Sequence, residues 1–268
     1  LKEVARFGFP IVAMDVSVSP QDKIPRLVIT DGEKVFLYRL VNRVLEPEWT
    51  YTARTAGKIL SVQLADLDGD GVFEVVANRH HPNPSINLTS FILTTRGGKP
   101  AVVAKDLSEI LLAVDPTGDG IKKTLWVQRY SPDTFFTPGQ ADRMALRNGA
   151  LVSDGTVRVP STFRATGATF SSIGGKGTRS LAYIDEFNRL RIAFGGEETW
   201  RSSSPVGGGA HLQVEVVKQI ERGGRSYFYF MQPMPLAVDL DGDGVEEIVV
   251  PQNQIEGHMA VVFRGPAG

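Results

Sequence analysis

The sequence predicts an all-β protein, a β-propeller of five four-stranded blades closed by the N-terminal strand, with six blades as the alternative. Three observations carry this. A nine-residue pattern of alternating acids and glycines occurs twice, at 66–74 and 239–247. Weaker copies begin near 15, 115 and 172, so the starts recur roughly 50 to 70 residues apart. Short apolar runs of strand length, not helices, flank the copies.

Each unit reads as four strands, A to D. In the first, A is 11–16, B is 26–30, C is 35–40 and D is 49–53, with Asp31-Gly32 turning B into C. The second repeats this at 60–65, 73–77, 87–93 and 101–104. The third begins at 111–114 and continues at 124–127, and the fourth has 181–184 after its loop and 191–194 as strand C. The last unit has only A (236–238), B (247–250) and C (259–263). Residues 2–7 precede the first A strand as a D strand without a blade. Pairing them with 259–263 closes the ring and removes an exposed edge. The stretch 195–224 fits this scheme least; it contains 212–217 as a further strand and has room for part of a sixth blade. The 268 residues are expected to form one domain, 1–268.

The chemistry lies in the loops between A and B. Asp66-Leu67-Asp68-Gly69-Asp70-Gly71-Val72-Phe73-Glu74 and Asp239-Leu240-Asp241-Gly242-Asp243-Gly244-Val245-Glu246-Glu247 share one grammar. Acids at positions 1, 3 and 5 converge if the loop curls, and glycines at 4 and 6 permit the curl. The backbone carbonyl at position 7 (Val72, Val245) and the Glu at 9 complete a shell of hard oxygens, which suits Ca²⁺. Carboxylates this close repel one another without a cation. An EF-hand is excluded: position 12 is Ala77 or Val250, in a strand, and the setting is strand–loop–strand. Two calcium sites are therefore expected. The copies at 115–123 and 172–180 read as sites that lost the ion, with Lys123 at position 9 of one and Lys176 at position 5 of the other. An ammonium from Lys123 can stand in for the ion beside Asp115 and Asp119; drift explains it equally well.

These loops between apolar strands resemble the FG-GAP/VCBS repeats of integrin α-subunit-like β-propellers. The resemblance is specific at 66–74 and 239–247, partial at 115–123 and faint elsewhere, with Phe194-Gly195 and Gly209-Ala210 as remnants of the signatures that name the family. It implies a calcium-bearing propeller, secreted or surface-exposed, that binds proteins or glycans and has no chemistry of its own.

Composition narrows the rest. Net charge is −1, with no basic stripe to suggest nucleic acid and no apolar run long enough to span a membrane. Without cysteine there is neither thiol catalysis nor a disulfide. No signal peptide precedes Leu1, as expected of a mature or trimmed product. Calcium loops favour the cell exterior, the cell surface or a periplasm. Asn87-Leu88-Thr89 forms a glycosylation sequon.

Candidate binding residues lie on other loops. His80 and His81 open a B–C loop and can chelate a metal or supply a base, although a solvated loop explains them better. Phe135 and Phe136 sit in a Pro- and Gly-bounded B–C loop, offered to a partner or tucked beneath it. Ser226–Phe230 reads as a D strand buried on both faces, in preference to a sugar platform. Trp200 and Arg201 follow strand C of the fourth unit and are expected on the calcium face, the Trp tucked against its blade. In such blades the A–B and C–D loops share one face and the B–C loops the other, so a protein or glycan partner is expected opposite the calcium loops. The composite expectation is a non-catalytic binding or assembly module. A propeller-based polysaccharide lyase or hydrolase and a structural subunit of a surface assembly are the alternatives.

Overall fold

A computed structural model describes residues 5–54, 56–83, 86–131, 135–207, 212–218, 225–232, 234–254 and 257–263, with backbone only at 130–131, 135–136, 212–218, 225–231, 253–254 and 257–263. The described chain is all-β apart from one 3₁₀ turn, Arg96–Gly98. Its recurring element is the four-stranded antiparallel meander, as in propeller blades.

The first sheet runs Ala13–Val18, Pro25–Thr30, Lys34–Val41, Val44–Thr52, paired in chain order. The second repeats this order with Lys58–Ala65, Glu74–His80, Ser90–Thr94 and Ala101–Leu107. The third contains Glu109–Val114, Thr124–Ser131, Gln140–Arg147 and Ala150–Arg158, with the two-residue strand Phe135–Phe136 added beside Thr124–Ser131. The fourth is Ala168–Ser171, Ser180–Ile184, Leu190–Phe194 and Glu197–Arg201. Then come a two-stranded ladder, Leu212–Lys218 with Arg225–Met231, and a three-stranded sheet, Leu236–Val238, Glu247–Gln254, Gly257–Phe263.

The chain divides into two compact units, residues 1–113 with 120–125 and 144–154, and residues 114–119 with 126–143 and 155–268. The first unit's core joins Val28, Leu37 and Trp49 to Ile59, Leu64, Phe73, Val75 and Phe91. The second unit's core includes Ala182, Ile184, Leu190, Ile192, Ile248 and Val250. These are the β-branched and aliphatic residues that alternate along the strands, as a sheet with apolar neighbours requires.

Buried amides supplement this apolar packing. Gln63 donates to the Ala113 carbonyl and accepts from the Ala113 N–H, both at 2.9 Å. Asn78 does the same at Leu111, at 2.8 and 2.7 Å. In the second unit Gln128 donates to the Phe163 carbonyl and accepts from Ala165 N–H. Each amide copies a peptide group and satisfies backbone that would otherwise be buried without a partner.

Four expectations change. Ala5–Phe7, the described part of the proposed closing strand, is not in a strand, and among the described residues nothing from it joins the three-stranded sheet. Instead Phe7 meets Tyr38 edge-on at 5.5 Å and Phe9 stacks on Phe36 at 4.6 Å, so half-buried rings of the first sheet capture this segment. Asp15 does not open a loop; it lies mid-strand, and the first A–B turn begins at Ser19. Trp200 and Arg201 lie in strand D, not on a loop, with Trp200 44% exposed. The turn before them is tight because Gly195 and Gly196 take φ of 59° and 85°, and a Cβ on Gly196 would come within 2.9 Å of the Arg158 carbonyl. Ser226–Phe230 pairs with Leu212–Lys218, the further strand expected within 195–224, as a separate ladder, so the described residues form six sheets of unequal size in place of five equal ones.

Candidate metal centres

The same turn geometry recurs at all four A–B loops of the pattern. Gly69 and Gly71, Gly118 and Gly120, Gly175 and Gly177, Gly242 and Gly244 all take φ between 75° and 121°. Only glycine adopts this without strain, so the glycines at 4 and 6 produce one curl whether or not the acids are kept.

In the two acidic loops the carboxylates organise the backbone identically. The position-9 acid accepts the position-2 N–H: Leu67 to Glu74 at 2.9 Å, Leu240 to Glu247 at 2.8 Å. The position-5 acid accepts the position-7 N–H at 2.8 Å in both, Val72 to Asp70 and Val245 to Asp243. Asp66 accepts from Gly71 at 3.2 Å, and Asp239 from Gly242 and Gly244 at 2.7 and 3.0 Å. These bonds turn the acids inward. Oxygens of Asp66, Asp68 and Asp70 lie within 4.8 Å of one another, as do those of Asp239, Asp241 and Glu247. Either cluster could hold a metal ion. Glu74 stays beside the first cluster and Asp243 beside the second, each bound to its own loop.

Burial and like charges both work against ionisation at the first loop. Burial, opposed by the Leu67 hydrogen bond and aided by Asp68, Asp70 and Asp66, pushes Glu74 up to about 7. Burial, with the charges of Asp70 and Asp68 adding to it, also raises Asp66. One cation already stands there. Arg96, in the C–D turn, places its guanidinium 2.9 Å from Asp68 Oδ2 and also bonds the Asp70 carboxylate. A C–D residue thus reaches an A–B loop, as their shared face requires.

The degenerate loops hold side-chain cations. Arg179, at position 8 of 172–180, bonds Glu246 at 2.7 Å and the Asp115 carbonyl at 3.1 Å. Lys122, at position 8 of 115–123, bonds Asp15 at 2.8 and 3.0 Å. The ammonium of Lys176 lies 3.3 Å from where a Gly244 Cβ would be, beside the last acidic loop.

The remaining candidates lie apart from these clusters. His80 ends a strand; burial, then the neighbouring His81, lowers its pKa. His81 Nδ1 accepts the Asn83 N–H at 3.0 Å, so it folds into its own turn. Phe135 and Phe136 form the short strand noted above, and their side chains fall outside the described residues. Asn87 of the sequon is only 7% exposed, which leaves a glycan no access. No described helix is long and apolar enough to cross a membrane. The chain matches no protein-family model and no curated protein.

Proposed function

We propose that this chain is a calcium-stabilised β-propeller of the FG-GAP/VCBS type, exported or surface-exposed, acting as a non-catalytic module that binds a protein or glycan. The observation that carries the calcium reading is the pair of three-acid oxygen clusters held on identically wired turns. All-oxygen, carboxylate-rich sites on a backbone that can flex suit Ca²⁺, at oxygen distances of about 2.3–2.6 Å. Mg²⁺ demands a stricter octahedron and gives up its waters reluctantly, so it fits a loop of this kind less well.

The ions would be structural. In each loop the acids are already bound to backbone N–H groups, and the donors of Asp66, Asp68, Asp70, Val72 and Glu74, or Asp239, Asp241, Asp243, Val245 and Glu247, leave little coordination open to a substrate. The partner surface is placed at the opposite end of the sheets. Within the first unit, the B–C turn of the second sheet carries Ile86, an apolar side chain 43% exposed, at that end.

Calorimetric titration of chelator-stripped protein with CaCl₂ tests this. The expected result is two Ca²⁺ per chain, reduced to one by Asp68→Ala or by Asp241→Ala. No heat and no change in melting temperature at millimolar calcium would overturn the reading. Turnover of a polysaccharide abolished by chelator, with melting unchanged, would replace it with the lyase or hydrolase alternative.

A further inference from the structure

We infer that Arg96 is the selectivity device of the first acidic loop: a tethered cation that holds Asp68 and Asp70 against monovalent ions and yields only to a divalent one. This rests on the reading of residues 66–74 as a calcium site.

The aim of Arg96 is built into the fold. The preceding residue, Thr95, is tied to the acidic loop itself: its N–H and its Oγ1 donate to the Phe73 carbonyl at 3.2 and 2.8 Å. Gly97 and Gly98 follow with φ of 77° and 73°, which turn the chain away at once. The backbone that presents Arg96 is therefore fastened to position 8 of the loop that its guanidinium enters. Its side chain is 59% exposed, so it is not held there by burial but by its bonds to the carboxylates of Asp68 and Asp70.

The competition follows from charge and distance. Na⁺ or K⁺ would exchange one unit of positive charge for another and lose the directed N–H bonds of the guanidinium. Calcium brings two units and approaches oxygen at about 2.4 Å against 2.9 Å, an attraction about 2.4-fold greater in the same dielectric. Arg96 thus lowers the apparent affinity of every ion by the same factor, which leaves a weakly held monovalent ion almost no occupancy while calcium still enters. The displaced group has somewhere to go. Arg96, Gly97 and Gly98 line a cleft of about 560 Å³ that also includes Gln21, Glu48 and Thr95. Glu48 is already bonded to Arg26, so what the cleft offers the guanidinium is space beside the polar Gln21 and Thr95.

The test uses calcium itself as the probe. In an Asp241→Ala background, so that only the first loop is read, Ca²⁺ is titrated into the parent, Arg96→Ala and Arg96→Lys proteins at low KCl and at roughly 0.3 M KCl. Arg96→Ala is expected to bind calcium about three- to tenfold tighter, since an exposed pair is a modest competitor. It should also lose affinity more steeply with KCl than the parent. Arg96→Lys, which keeps the charge but not the fork, should fall between. Equal affinity and equal salt slope in Arg96→Ala and parent would overturn the proposal while leaving the calcium site standing. Weaker binding in Arg96→Ala would overturn it too, making Arg96 a brace of the loop. No calcium uptake by any of the three would sink the calcium reading of residues 66–74 itself.

Discussion

The turns 66–74 and 239–247 have the same acids, the same glycines and the same hydrogen bonds at positions 2 and 7, yet they differ in how wet they are. Asp66 is 3% exposed and Leu67 8%, whereas Asp239 is exposed and Leu240 is 57% exposed. The residue at position 8 differs in kind. It is Phe73 in the first, 1% exposed and part of the core, and Glu246 in the second, ion-paired to Arg179. A ligand motif fixes the direction of its donors, while the residues between the donors decide how much water is removed from them. Desolvation then sets the cost of leaving the acids charged without an ion.

Exchanging the position-8 residues is the strongest way to break this comparison. Phe73→Ala removes a buried ring and should lower stability by about 3–5 kcal/mol in denaturant unfolding. Glu246→Ala removes a partly exposed ion pair and should cost about 1 kcal/mol or less. Equal costs would mean that burial does not separate the two turns.

Calcium itself should come next in size. An ion bound only by the folded state stabilises it by about 2.7 kcal/mol per site at a hundredfold excess over Kd. Asp68→Ala and Asp241→Ala should each lower the melting temperature in calcium, and a chelator should bring the parent down to join them. A melting temperature that ignores the chelator would remove the ions from the stability account.

The pH response should separate the turns most finely. Glu74 ionises at about 7 in the fold, against an ordinary value of 4.5. The folded state keeps this proton longer, so cation-free stability is full below about 4.5 and falls as pH rises through about 7. The loss should be on the order of 1–3 kcal/mol, absent in Glu74→Gln and cancelled by calcium. Unfolding curves in chelator at pH 5 and pH 8 measure it. The same slope in Glu74→Gln would assign the loss to other groups.

Much of this was legible in the chain. The apolar runs marked the strands of the first two sheets to within a few residues, because alternating burial is a local signal. The acidic turns were legible because their geometry depends on glycines inside the motif. Arg96 was not, because its partners lie 28 and 26 residues away and only the meander brings a C–D turn over an A–B turn. Gln63, Asn78 and Gln128 carry no local signal of their role, because the backbone groups they bond lie 33 to 50 residues away. A strand missing from the last unit is a weak guide to the N-terminal segment, because Phe7 and Phe9 find aromatic partners close in sequence, Tyr38 and Phe36.

The cations that brace the degenerate turns have a consequence of their own. Lys122 on Asp15 and Arg179 on Glu246 are covalently tethered, so their effective concentration is set by the chain and not by the medium. A bound metal ion has no such tether, and its occupancy follows whatever the surrounding fluid supplies. The molecule therefore divides its loop fastenings into two kinds. The turns at 115–123 and 172–180 have only tethered charges, while those at 66–74 and 239–247 would, on the proposed calcium reading, also follow its divalent content. If that reading holds, dilution of those ions would act on two turns and leave the tethered contacts of the other two unchanged.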